Sequence, residues 1–189
     1  MGLDIRVMTD KYDEVHDSLS WDEYFEKYKL SRTFCNFMCR QNVINGVEPE
    51  LNRIGHFTGI DIALFYEMEL YPDENNLIYA IEYAETVEDK QKIIIDAENN
   101  KELLKGNLDK VLFALNGLID SLNKVENLLA IIGSTEFDSP WNDEYFSDFQ
   151  IDTGKGFINN NFGQDLRNFK RYLELSKSIG ATTTWFTYG

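Results

Sequence analysis

Positive charge is what this sequence has least of for its size. In 189 residues, 18 Lys plus Arg stand against 33 Asp plus Glu, a formal charge of -15. A nucleic-acid binder of the common kind needs Lys and Arg to neutralise phosphates, so nucleic acid is not expected as a partner. The same shortage argues against electrostatic docking on an anionic membrane surface. Cysteine is scarce as well: Cys35 and Cys39 are too few for a disulfide scaffold. No apolar run approaches the ~20 residues that a bilayer helix requires, so no membrane association is expected. The first residues, Met1-Gly2-Leu3-Asp4-Ile5-Arg6, lack the basic start and apolar stretch of a secretory signal. Arg6 also stands where a myristoylation motif wants Ser or Thr. A cytoplasmic protein is expected. What the chain does have is 43% apolar residues, 14% of the total being aromatic, which is enough for a real core and excludes a disordered chain. One domain, 1–189, is the expectation at this length.

Periodicity divides the chain into segments. Residues 3–9 alternate apolar and polar, the period of a half-buried strand, and residues 181–188 are rich in β-branched and aromatic side chains. These termini are expected to pair in one small antiparallel or mixed sheet. The middle reads as helical. Ser20-Trp21-Asp22-Glu23 is a capping box that opens a helix to about residue 30. Ser31 caps a second helix to about residue 42, carrying Phe34, Cys35, Phe37 and Met38. Asn45-Gly46 and Pro49 break the pattern; a third unit covers 50–70, and Pro72 ends it. Residues 73–104 read as one long helical stretch with Leu77, Ile81, Ala84 and Val87 on a stripe, and Gly106-Asn107 breaks it. From 108 to about 129, apolar residues recur at spacings of three and four, the face of an amphipathic core helix. After a loop at 133–140 and a short aromatic turn, a last helix over about 163–179 turns Leu166, Phe169, Tyr172 and Leu173 inward. The fold class is α+β, mainly helical, with the small sheet of N- and C-terminal strands packed on a helical core.

Several chemical motifs can be weighed. Cys35, Cys39, His16 and His56 have the composition of a zinc site but not its spacing, which pairs cysteines two to four apart on a turn with a second compact pair. Here the cysteines sit one helical turn apart among Phe34, Phe37 and Met38, so core cysteines are expected. Residues 51–65 look like a helix-turn-helix, with Gly55 as the small residue, Gly59 as the turn glycine and Phe65 as the apolar anchor. Its would-be recognition helix carries Asp61, Glu67 and Glu69 and no base, which phosphates would repel, so a packing corner is expected. Gly154-Lys155-Gly156 lacks the spacing of a phosphate loop. Glu82, Glu85, Glu88 and Asp89 come without the histidines that di-metal helices add and read as a solvated acidic face. No catalytic residue, metal or cofactor is expected.

The acids are unevenly spread. Residues 54–89 contain no Lys or Arg and nine acids; residues 125–154 again contain no base, with Glu126, Glu136, Asp138, Asp143, Glu144, Asp148 and Asp152 interleaved with Phe137, Trp141, Tyr145, Phe146 and Phe149. Rings beside carboxylates suit recognition of a basic partner, the rings supplying contact area and the acids steering. The competing reading has the rings facing inward and the acids facing water. Ser134, Glu136, Phe137, Asp138, Trp141, Asp143, Glu144 and Tyr145 are the candidate partner-binding residues.

Landmarks along the chain carry a resemblance. Met1-Gly2-Leu3-Asp4-Ile5, the run from Phe37 to Val47 with Gln41, Asn42 and Gly46, the loop Gly133-Ser134-Thr135-Glu136-Phe137-Asp138 with Tyr145 after it, and the closing Trp185-Phe186-Thr187-Tyr188 follow one another in a familiar order. Together they resemble a group of small uncharacterised bacterial and phage proteins. Members begin Met-Gly-Leu-Asp and carry a Gly-Ser-Thr-Glu-Tyr/Phe-Asp loop before a final helix and an aromatic strand. The group has a Tyr-Trp-Arg and His-x-Trp pattern in its central helix, where this chain has Ser31-Arg32-Thr33-Phe34-Cys35-Asn36-Phe37. The resemblance implies a phage or mobile-element origin and marks residues 134–138 as a place for a site; it implies no activity.

Three functional expectations follow. The first is a non-enzymatic acidic interaction protein binding a basic partner, as a toxin antidote or an acidic decoy of DNA would. The second is a small metal-dependent or acid–base enzyme using the 134–148 loop. The third is a helix-turn-helix regulator acting through 51–65.

Overall fold

In a computed structural model, which describes residues 4–43, 48–132 and 140–189, the two ends of the chain meet. Strand β1 (Ile5–Thr9) pairs antiparallel with β2 (Thr184–Tyr188), placing Val7 opposite Phe186. The alternation expected over 3–9 is observed over Ile5–Thr9: Ile5, Val7 and Thr9 are buried while Arg6 faces water. Asp10 closes the open end of the pair, accepting hydrogen bonds from the Thr182 and Thr183 N–H groups at 2.9 and 3.1 Å and from the Thr182 hydroxyl at 2.8 Å.

The other main elements among the described residues are helices: α1 (Tyr12–Asp17), α2 (Trp21–Lys27), α3 (Arg32–Val43), α4 (Glu50–Thr58), α5 (Ala63–Glu67), α6 (Glu74–Tyr83), α7 (Val87–Leu104), α8 (Leu108–Leu122), α9 (Leu128–Ile132), α10 (Pro140–Phe146) and α11 (Phe162–Ser178). The core centres on α11 packed against α8. Leu108, Val111, Leu115, Leu118 and Leu122 of α8 are buried, as are Leu166, Phe169, Tyr172 and Leu173 of α11. Each such side chain contributes roughly 1.5–3 kcal/mol relative to remaining exposed, so this pair of stripes organises the fold. The sheet lies against α11 and α3; α4 and α5 pack on α8, α9 on α4, and α10 on α9 and α11.

Local signals set the helix ends. Ser20 accepts the Glu23 N–H at 3.2 Å, the N-cap half of the expected capping box, while the Glu23 carboxylate takes Lys27 at 2.9 Å instead. Ser31 accepts the Phe34 N–H at 3.1 Å. Two stretches that periodicity read as continuous are broken. Residues 73–104 form two helices, because Ala84 leaves the helical region at ψ 129 and Thr86 caps α7 by accepting the Asp89 N–H at 3.0 Å. The stripe over 108–129 is divided between α8 and α9, where Asn127 accepts the Ala130 N–H at 3.2 Å. Apolar spacing survives both breaks, so the caps alone mark them. Helix α1 was not expected from the sequence.

The cysteines fall as read. Cys35 is buried on α3, Cys39 is partly buried, and both are free; burial pushes the Cys35 thiol up to about 12. Among the described residues, no helix is long and apolar enough to cross a membrane.

Candidate functional site

The site is built outward from the start of α11. Asn161 caps that helix, its Oδ1 accepting the Gln164 N–H at 2.8 Å. Its Nδ2 donates to three carbonyls of the preceding loop, those of Ser147, Asp148 and Ile151, at 3.2, 2.8 and 2.9 Å. One side chain therefore gathers residues 147–151 onto the helix. Gln164 does the same one step later, accepting the Gly154 N–H at 2.7 Å and donating to its carbonyl at 3.2 Å. The gathered loop bends Asp148 to φ 47 and Asn159 to φ 59, in the left-handed region that Asp and Asn enter more readily than other side chains.

Below the loop lies a fully buried carboxylate. Asp165 Oδ1 accepts from the Ser31 N–H at 3.0 Å and the Asn160 Nδ2 at 2.9 Å. Its Oδ2 accepts from the Ser31 hydroxyl at 2.5 Å and the Tyr145 phenol at 3.0 Å. Burial raises its pKa to about 6 although all four donors oppose the rise. Burial likewise holds the Tyr145 phenol well above its usual range, so it acts as a neutral donor. A serine hydroxyl on a carboxylate has the parts of an activated nucleophile, but Ser31 and Asp165 are both buried and neither lines the clefts described below. The network fastens α3, α10 and the 160–165 turn together.

Beside this fastening, between α9 and residues 147–151, opens a groove of about 510 Å³. One wall is Val125, Glu126, Asn127, Leu128 and Leu129; the other runs from Phe146 to Ile151. Leu128, Phe146 and Phe149 are buried within it, while Glu126 and Asp148 are exposed. Neither carboxylate pairs with a base among the described residues. A second cleft of about 370 Å³, lined by residues that include Glu144, Tyr145, Asn159 and Asn160, also takes in Ser147 and Asp148, so Asp148 borders both. Asp152 is used otherwise: Arg167 and Arg171 of α11 pair with it at 2.6 and 3.4 Å.

The sequence-derived candidates fall in several places. Asp143 and Glu144 are exposed on α10. Tyr145 is buried with its phenol on Asp165. Ser134, Glu136, Phe137 and Asp138 lie outside the described residues, as does the side chain of Trp141. Glu126 and Asp148 were noted only as members of an acidic run. Asn161 and Asp165 were not singled out, although Asn161 with Gln164 three positions on has the spacing of a helix start.

The corner over 51–65 has the expected backbone. Gly59 ends α4 at φ 69, and a Cβ on Gly55 would come within 2.7 Å of Ile62. The second helix, α5, is five residues long; beyond it Glu69 accepts the Tyr188 phenol. Leu51, Ile54 and Phe65 of this corner are in the core. Among the described residues, no group of three or more His, Cys, Asp or Glu is placed to hold a metal ion. In comparisons with known proteins, no family model matches the chain, nor does any curated protein or solved structure.

Proposed function

We propose that this chain is a non-enzymatic interaction protein of bacterial or phage type, acting in the cytoplasm, and that it binds a basic partner. The groove between α9 and residues 147–151 accepts a Lys or Arg side chain of that partner. The composition of the groove carries this reading. Every lining residue belongs to the stretch 125–154, which contains no Lys or Arg. An apolar floor with two carboxylates at the edge matches a side chain that is aliphatic along its stem and cationic at its tip. The remaining exposed acids of α10, Asp143 and Glu144, extend the same field and steer encounter. The bacterial or phage origin rests on the sequence resemblance.

Titration with a Lys-rich amphipathic peptide tests the reading. The double variant Glu126→Gln, Asp148→Asn is expected to weaken binding by about tenfold or more, roughly 1.4 kcal/mol. The parent affinity should also fall with added salt, because charges at a groove edge are screened. A Glu-rich peptide of the same length should not bind. Equal binding of both peptides, or a double variant that binds as the parent does, would refute the assignment.

A further inference from the structure

Ser147 and Asp148 line both the groove and the cleft of about 370 Å³, so the two spaces adjoin along one short piece of chain. Their walls differ. The groove contains Leu128, Phe146 and Phe149, whereas every residue lining the cleft carries a polar side chain. Most donors among those side chains are already committed. The Tyr145 phenol donates to Asp165 Oδ2 at 3.0 Å, and the Asn160 amide donates to Oδ1 of the same carboxylate at 2.9 Å. The Ser147 hydroxyl donates to the Glu144 carbonyl at 2.8 Å and the Thr153 hydroxyl to the Asn159 carbonyl at 3.2 Å. What these groups have left is acceptor capacity. The carboxylates of Glu144 and Asp148 add to it, since neither pairs with a base among the described residues. Asn160 is only 3% exposed, and its Oδ1 has no donor among the described residues, a state that buried polar atoms rarely keep.

A cleft rich in acceptors and negative charge calls for a ligand that brings N–H groups and positive charge. A metal ion is the poorer fit, because among the described residues no three His, Cys, Asp or Glu come together to hold one. The cleft supplies no cation of its own: neither Arg32 nor Lys155 lines it, and Arg32 pairs with Asp4 at 2.8 Å. A guanidinium carries a permanent charge and five N–H donors in a flat fork, which reaches acceptors on two walls at once. An ammonium concentrates three donors at one point and suits the groove, where an apolar floor takes its aliphatic stem. We infer that the cleft is a second pocket of the same binding surface, taking the guanidinium of an arginine, so that the partner presents a dibasic segment with Asp148 between its two bases. This assignment rests on the basic-partner reading of the groove and narrows the class of partner.

Calorimetric titration of the full chain with matched peptides tests the inference. Each peptide carries one lysine and, separated from it by one to three residues (roughly 7–14 Å in an extended chain), either arginine or its neutral isostere citrulline. At one of these spacings the arginine peptide is expected to bind about tenfold more tightly than the citrulline peptide. Glu144 is exposed, so Glu144→Gln should fold as the parent does, with unchanged circular dichroism. It should shrink the arginine advantage to about threefold or less while changing citrulline-peptide affinity by no more than about twofold. Glu126→Gln, which touches only the groove, should weaken both peptides alike; Asp148 borders both spaces and is left unchanged. Equal binding of arginine and citrulline peptides at every spacing would overturn the inference, and so would an arginine advantage untouched by Glu144→Gln. If Glu126→Gln still weakens both peptides in those cases, the groove reading stands without the second pocket. If Glu126→Gln weakens neither, the groove reading fails and this inference falls with it. Lysine at the second position binding as tightly as arginine would overturn the assignment of a guanidinium.

Discussion

Asp165→Ala is expected to destabilise the chain by about 3–5 kcal/mol, measured as the loss of unfolding free energy in urea. The carboxylate is fully buried and takes four hydrogen bonds, from the Ser31 N–H and hydroxyl, the Asn160 amide and the Tyr145 phenol. Alanine leaves all of these donors without their acceptor, at about 1–3 kcal/mol for each that stays unpaired. The two hydroxyls can turn to other acceptors, which keeps the total below the simple sum. A loss of this size is a large fraction of the 5–15 kcal/mol that holds an ordinary domain together.

Asp165→Asn separates shape from charge. Its oxygen can keep the Ser31 N–H and Asn160 contacts, and its amide can donate to the two hydroxyls, which accept as well as donate. The folded chain holds a proton on Asp165 up to about pH 6, whereas the unfolded chain releases it near the ordinary carboxyl value of 3.8. Between those values the folded state binds more protons, so the contribution of Asp165 is fully present below about pH 4 and is lost as pH rises through 6. The asparagine variant has no such proton. Its stability relative to the parent should therefore improve by about 3 kcal/mol between about pH 3.5 and pH 7. A constant difference across that range would mean that the carboxyl ionises in the folded chain as it does in water.

Gly163→Ala is expected to cost about 3 kcal/mol, the upper end of the usual range for overpacking. A Cβ at this position would lie 1.9 Å from the Phe149 carbonyl oxygen and 2.9 Å from its carbon. Neither can swing aside without moving the loop that Asn161 gathers. The substitution should therefore also weaken binding of the Lys-rich peptide, since that loop carries Asp148. Gly117→Ala is the control: its Cβ would meet only the side-chain end of Ile60, at 2.6 Å, and alanine gains helix propensity there. Its stability should stay within about 1 kcal/mol of the parent. Equal costs at both positions would contradict the close approach of Phe149 to α11.

The fold was legible wherever a residue pattern had one physical meaning. Alternation at the first strand, Ser20 with Glu23, and the apolar stripe of α11 each dictated what formed. The stripes over 73–104 and 108–129 misled because helical spacing runs on through a break, whereas the side-chain oxygens of Thr86 and Asn127 end one helix and begin another. At the candidate site, the base-free stretch located Glu126 and Asp148 without distinguishing them from their acidic neighbours. What sets Asp148 apart is the three-carbonyl grip of Asn161, which joins residues ten to fourteen positions away. Asp165 was hidden for the same reason, since its partner Ser31 is 134 positions distant. Tyr145 could be read from sequence as an aromatic beside acids, but not that its ring is buried and its phenol engaged.

The most direct measurement is an amide chemical-shift titration of the isotope-labelled chain with the Lys-rich amphipathic peptide. If the groove takes a basic side chain, the shifts concentrate on residues 125–129 and 147–151 and vanish in the Glu126→Gln, Asp148→Asn variant. Shifts confined to the α6–α7 hairpin, or spread evenly over every acidic surface, would contradict a groove built to receive a basic partner.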